Sequence, residues 1–184
     1  AALAGSETPV ILHDYPAATG IKLGVDLVAR LHGELGHVRA IKLEDPPTGP
    51  KVTALRKASA SLGILGGLGG MYFLQELDRG ADGMMTGFSY PEALVAIHRA
   101  HRSGDRERAA RLFFALSPLL TFEFQPGTGL ALRKEIYRQR GAIGNAHVRH
   151  PGAQIDPALT GELQAILGRE EIQAALAEAR EVAS

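Results

Sequence analysis

Short apolar runs alternate with longer stretches of helical periodicity over the first hundred residues of this chain. Pro9 to Asp14 (PVILHD) is a compact run with β-branched content that stops at Tyr15-Pro16, which predicts a buried strand. After Thr19-Gly20, Leu27, Val28, Leu31 and Leu35 recur at helical spacing until Gly36. The same alternation then repeats. Val38 to Leu43 predicts a second strand and Pro50 to Ser61 a helix; Gly63 to Gly66 predicts a third strand and Met71 to Arg79 a helix closed by Gly80. Gly83 to Thr86 and Pro91 to Arg102 complete a fourth pair. Strand and helix in strict alternation imply parallel strands with crossover helices. Such strands are expected to be covered on both faces.

Beyond Gly104 the alternation stops. Asp105 is placed to cap a helix whose Ala109, Leu112, Phe113, Leu116 and Leu120 form one apolar stripe. Further helices are predicted at about Leu130 to Arg140, Leu159 to Leu167 and Glu170 to Val182, with an irregular stretch over Gly141 to Ala153. Ala1 to Thr8 reads as the tail of a helix and a turn, so the chain is expected to begin in mid-architecture. The 184 residues suffice for one well-buried core.

Composition narrows the chemistry. Lys plus Arg and Asp plus Glu both total 20, so the formal charge is zero and neither a nucleic acid nor an anionic membrane is favoured as a partner. There is no cysteine, which removes disulfides, thiolate metal sites and a cysteine nucleophile. No apolar run approaches the roughly 18 residues of a membrane helix, and no signal-peptide pattern is present. A cytoplasmic protein with a small-molecule ligand is the expectation.

Ligands of parallel α/β folds gather outside the carboxyl ends of the strands. Those ends carry His13, Asp14 and Tyr15; Lys42, Glu44 and Asp45; Gly66, Gly67, Gly69 and Gly70; and Thr86, Gly87, Ser89 and Tyr90. An ammonium group ending a buried strand is costly unless paired, which favours the neutral amine that attacks carbonyls; pairing with Glu44 or Asp45 is the alternative. Lys42 is therefore a candidate Schiff-base nucleophile. Tyr15 or His13 would move protons, and Gly66, Gly67, Thr86 and Gly87 would shape a small pocket. The Gly66 to Gly70 run lacks the full features of a P-loop or dinucleotide fingerprint, which leaves phosphate binding as a weaker reading. His13, Asp14, Glu44 and Asp45 around a divalent ion would make a metal-assisted lyase, the second enzyme reading. His98 with His101, and His147 with His150, are expected to be surface features rather than a zinc site.

PVILHDYPAATG (9–20), AIKLE (40–44), ILGG (64–67) and GADGMMT (80–86) resemble, in order and spacing, the second half of the dihydrodipicolinate synthase/N-acetylneuraminate lyase family. The Gly104-Asp105 helix start and Val148-Arg149 resemble its C-terminal helical extension. The resemblance implies a (β/α)8 TIM barrel, of which this chain holds strands five to eight over residues 1–103, with a helical extension packed on it over 104–184. It implies that Lys42 forms an imine with pyruvate or a related 2-oxo acid, with no cofactor and no metal, in a homo-oligomer of two or four chains. The family's strand-five tyrosine falls on His13, with Tyr15 two residues later on the same face, and of the two Tyr15 is preferred as the proton relay. An arginine that binds the second substrate's carboxylate falls on Ala18, which leaves a sugar-acid (2-keto-3-deoxy acid) aldolase or dehydratase open beside a synthase. The family's carboxylate-binding loop would lie in the missing half, so a fragment, an assembly that completes the barrel, or an inactive half-barrel binding module is also expected.

Overall fold

The structure is a computed structural model that describes residues 7–183. The helix tail expected over Ala1 to Thr8 lies, but for its last two residues, outside them. Contacts between Cα atoms divide the chain into two compact units, residues 1–68 with 72–86, and 69–71 with 87–184.

The first unit is built on a parallel sheet in the order β1 (Val10–Asp14), β2 (Val38–Leu43), β3 (Gly63–Gly66), β4 (Gly83–Met84). Between consecutive strands run α1 (Pro16–Thr19) with α2 (Val25–Glu34), then α3 (Thr48–Ala58), then α4 (Phe73–Asp78). Helices and strands thus alternate as the periodicity predicts. α1, a single turn closed by Gly20 at φ 69°, has too few residues to show a period. The last strand is shorter than predicted: Met85 and Thr86 fall outside it, although Met85 N–H still donates to the Gly66 carbonyl at 2.9 Å.

Register explains which side chains meet. His13 pairs with Lys42 and Lys42 with Leu65, so these three stand on one face at one level. Leu12, Ile41 and Ile64 stand one residue earlier, on the opposite face. There Ile41, Leu43 and Ile64 pack with Val28 of α2 and Val52 and Leu55 of α3 in a buried core. The expectation of strands buried on both faces needs correction. Along β1 burial alternates, Ile11 is 46% exposed and His13 is exposed, because α2 and α3 cover one side of the sheet only. Polar side chains on the uncovered side therefore incur no full desolvation cost.

The second unit holds α5 (Pro91–Arg102), α6 (Arg106–Glu123), α7 (Gly129–Gln139), α8 (Pro157–Leu167) and α9 (Glu170–Ala183). Asp105 caps α6 by accepting from Arg108 N–H at 3.0 Å, as its position predicts. All five residues of the predicted stripe on α6, Ala109, Leu112, Phe113, Leu116 and Leu120, are buried. No helix among the described residues is long and apolar enough to cross a membrane.

Candidate active site

Beyond the end of β2 the chain bends into Pro46-Pro47, and the two carboxylates just before that bend engage different partners. Glu44 follows Lys42 by two positions and shares its side of the strand. Its backbone N–H continues the ladder to the Asp14 carbonyl at 2.9 Å. One carboxylate oxygen, Oε2, lies 3.1 Å from Lys42 Nζ and accepts from His13 Nε2 at 2.6 Å. The other, Oε1, accepts from the Leu68 backbone N–H at 2.8 Å. Burial alone would raise the affinity of Glu44 for a proton; the bonds from His13, Leu68 N–H and Lys42 outweigh it and hold the carboxyl below its usual range. An ionised Glu44 is thus placed between a lysine and a histidine.

Lys42 is paired, which the sequence left as the alternative to a bare amine, and its side chain is 19% exposed. A paired ammonium that keeps some access to solvent can still become a nucleophile once its neighbour takes the proton. Tyr15 does not share this hydrogen-bonded group. Its ring stacks on that of His13 with centroids 5.5 Å apart and planes 13° from parallel. His13, rather than the preferred Tyr15, is the residue that the geometry connects to Lys42.

Gly66 and Gly67 are where they were expected, at the end of β3, and the space they leave is already filled. A Cβ at Gly67 would lie 2.2 Å from Glu44 Cγ, and one at Gly66 would lie 1.9 Å from Glu76 Oε2. These glycines seat carboxyl groups of the same chain. That makes the run a poor cradle for phosphate. Leu68, at φ 46°, then begins a left-handed turn through Gly69 (φ 68°) and Gly70 (φ 86°). A leucine in that region costs on the order of 1 kcal/mol, and it is held here with its N–H on Glu44. Of the remaining predicted pocket residues, Thr86 is half-buried in the first unit and Gly87 belongs to the second, where a Cβ would lie 3.0 Å from Arg133 Nη1.

Asp14 and Asp45 form a separate charged group. Lys51 Nζ bridges Asp14 Oδ2 at 2.5 Å and Asp45 Oδ2 at 3.1 Å, and Lys22 reaches Asp45 Oδ1 at 2.8 Å. The Lys22 bond, helped by Lys51 against burial, holds the Asp45 carboxyl below its usual range. Asp14, fully buried, also accepts from Leu23 N–H at 2.9 Å. Every carboxylate proposed for a metal centre is thus engaged by an ammonium group. Among the described residues no three His, Asp or Glu side chains converge as metal ligands.

Two participants were not foreseen. Lys51 is joined to Asp14 across 37 residues, a separation no local pattern encodes. Glu76 had a signal: it stands three residues after Phe73 on a short helix whose Phe73, Leu74 and Leu77 are buried, so the period places it on the buried face.

Comparisons with known proteins show the family. A model of the dihydrodipicolinate synthetase family matches residues 1–170. The chain belongs to that family. Over 163 residues it is 31% identical to an L-2-keto-3-deoxyarabonate dehydratase of Azospirillum brasilense, a match that covers 88% of this chain and 52% of that protein. Over 164 residues it is 30% identical to a 4-hydroxy-tetrahydrodipicolinate synthase of Bifidobacterium longum (strain DJO10A), covering 85% of this chain and 53% of the relative. The crystal structure of a dihydrodipicolinate synthase from Rhodopseudomonas palustris superposes with a TM-score of 0.83 at 33% identity, over 86% of this chain and 55% of that one. The chain spans about half the length of the curated relatives it matches. Its α/β fold with a parallel sheet is that of this family.

Proposed function

We propose that this protein is a Schiff-base-forming lyase or aldolase acting on pyruvate or a related 2-oxo acid, with Lys42 as the nucleophile. The observation that carries the reading is the Lys42–Glu44–His13 group at the carboxyl end of a parallel sheet, where parallel α/β folds hold their ligands. Glu44 takes the proton of the Lys42 ammonium. The neutral amine adds to the ketone carbon, and the resulting carbinolamine loses its hydroxyl as water when a proton returns from Glu44. The cationic imine then gives up a proton from the adjacent carbon, forming the enamine that attacks an aldehyde or expels a β-hydroxyl. His13 assists these transfers, with Tyr15 stacked behind it. The covalent imine supplies the electron sink, so the mechanism requires no cofactor.

In this reading β1 to β4 are strands five to eight of a (β/α)8 barrel over residues 1–103, and residues 104–184 are its helical extension. The shares of the relatives' lengths that are matched, 52–55%, support this assignment. A homo-oligomer of two or four chains and a cytoplasmic location accompany it. A second reading within the same chemistry is a 2-keto-3-deoxy sugar-acid dehydratase. It is favoured by the Azospirillum relative and by Ala18, an exposed methyl where the family's synthases are expected to carry an arginine. Turnover of the Lys42→Arg variant tests the proposal. Loss of activity with both substrate types is expected, and retention of full activity would overturn it.

A further inference from the structure

In the second unit, α7 meets residues 87–89 through one stripe of side chains. Arg133, Tyr137 and Arg140 stand at i, i+4 and i+7, and they take Gly87, Phe88 and Ser89 in turn. Tyr137 Oη donates to the Phe88 carbonyl at 3.3 Å, and Arg140 donates to the Ser89 carbonyl. Arg133 meets its glycine differently. A Cβ at Gly87 would lie 3.0 Å from Arg133 Nη1, so the guanidinium rests directly against Gly87 and keeps its fork of donors unspent.

The other cations of α7 are all engaged. Lys134 Nζ donates to the His147 carbonyl, and Arg138 forks onto Glu135 at 2.8 and 2.7 Å. Arg140 also reaches Glu92 at 2.5 Å and lies over the Tyr90 ring, 4.4 Å from its centroid. Half-buried Arg133 alone among them has a guanidinium with no hydrogen-bond or ion-pair partner among the described residues. Glu123 attracts it through space but is not bonded to it: one carboxyl oxygen is taken by Ser89 N–H and Oγ, and the other has no partner. A partly desolvated guanidinium without an acceptor is a costly arrangement, and an anionic ligand removes that cost. Gly87 also leaves the way open. It is exposed, whereas Phe88, Ser89 and Tyr90 after it are buried, and any side chain at Gly87 would stand on the donors of Arg133.

Resting on the lyase reading, in which Gly87 helps to shape the substrate pocket, we propose that Arg133 binds a carboxylate of the 2-oxo acid at Gly87. The planar guanidinium matches a carboxylate with two parallel hydrogen bonds, which a lysine in its place would not reproduce. A 2-oxo acid offers one carboxylate beside its ketone, and a dicarboxylic one offers another at its far end. Either presents the same chemistry to Arg133.

Two measurements test it. Borohydride-trapped imine formation is followed against concentration for pyruvate and for 2-oxoglutarate, in the wild type and in Arg133→Gln. The half-saturating concentration of at least one acid should rise about ten- to a hundredfold in the variant, with the maximal rate within about twofold. A rise with both acids places the bound carboxylate beside the ketone, and a rise with 2-oxoglutarate alone places it at the far end. No rise with either, or a fall in maximal rate alone, would overturn the proposal. The second measurement needs no imine. The 15N NMR signal of Arg133 Nε is followed as each acid is added to the wild type and to Lys42→Arg, and it should move in both proteins. A signal unmoved by both acids overturns the proposal whether or not an imine forms. Should the signal move while the wild type forms no imine, the failure belongs to the lyase reading and the carboxylate site at Arg133 stands.

Discussion

Glu123, in the helical unit, offers a quantitative test of how burial acts on this chain. It is 2% exposed near the end of α6 and accepts from Ser89 N–H at 3.0 Å and Ser89 Oγ at 2.8 Å through one oxygen, while the other has no partner. Burial pushes the carboxyl up to about 7, against the Ser89 bonds and the more distant Arg133 and Arg140 guanidinium groups. In the unfolded chain the same group titrates near the ordinary glutamate value of about 4.5. The unfolded state therefore releases the proton first as pH rises, and folding loses stability between these two values. The penalty is absent below pH 4, grows through pH 5 and 6, and reaches about 3 kcal/mol above pH 8 at about 1.4 kcal/mol for each pH unit of separation. Glu123→Gln removes the titration and keeps an oxygen for Ser89. Urea unfolding of the wild type and variant at pH 5 and pH 8.5 isolates the effect, because every other titrating group is common to both proteins. The variant should gain about 2.5 kcal/mol relative to the wild type on going from pH 5, where part of the penalty is already present, to pH 8.5. An equal difference at the two pH values would refute the reasoning.

Three further outcomes follow from the same geometry. Gly67→Ala drives a methyl into the Glu44 side chain, where Cγ is only 2.2 Å from the new atom, so imine formation should fall by at least about tenfold while unfolding shows a loss of roughly 1–3 kcal/mol. A Gly67→Ala protein with wild-type activity would mean that Glu44 is not needed where it stands. His13→Ala should lower turnover more than Tyr15→Phe, since only His13 bonds to Glu44; the reverse order in steady-state kinetics would restore Tyr15 as the relay. Lys51→Met leaves fully buried Asp14 without its ammonium and should cost about 3–5 kcal/mol in urea unfolding. A loss under 1 kcal/mol would show that solvent screens that pair.

Much of the architecture was legible because it is written in local periods. Strand and helix alternate where the apolar runs alternate with 3.6-residue spacing, and the α6 stripe is buried in full. Asp105 was readable as a cap from its position alone. What escaped the sequence depends on distance through space. The open face of β1, and with it the exposure of Ile11 and His13, follows from which side α2 and α3 cover, and a run such as VILHD reads alike for one-sided and two-sided burial. Lys42 was identifiable as a lysine ending an apolar run; that Glu44 would also hold His13 was not, because that bond joins residues 31 apart. The glycines at the end of β3 were expected to shape a ligand pocket, but the groups that lie against them are Glu76 and Glu44.

In the proposed chemistry every step depends on attack by Lys42 on a 2-oxo acid. The most direct test is to incubate the protein with pyruvate, reduce it with borohydride, and locate any adduct by peptide mass spectrometry. One reduced pyruvate adduct is expected, on Lys42, absent without borohydride. No adduct, or one on the paired surface lysine Lys22 in place of Lys42, would contradict it.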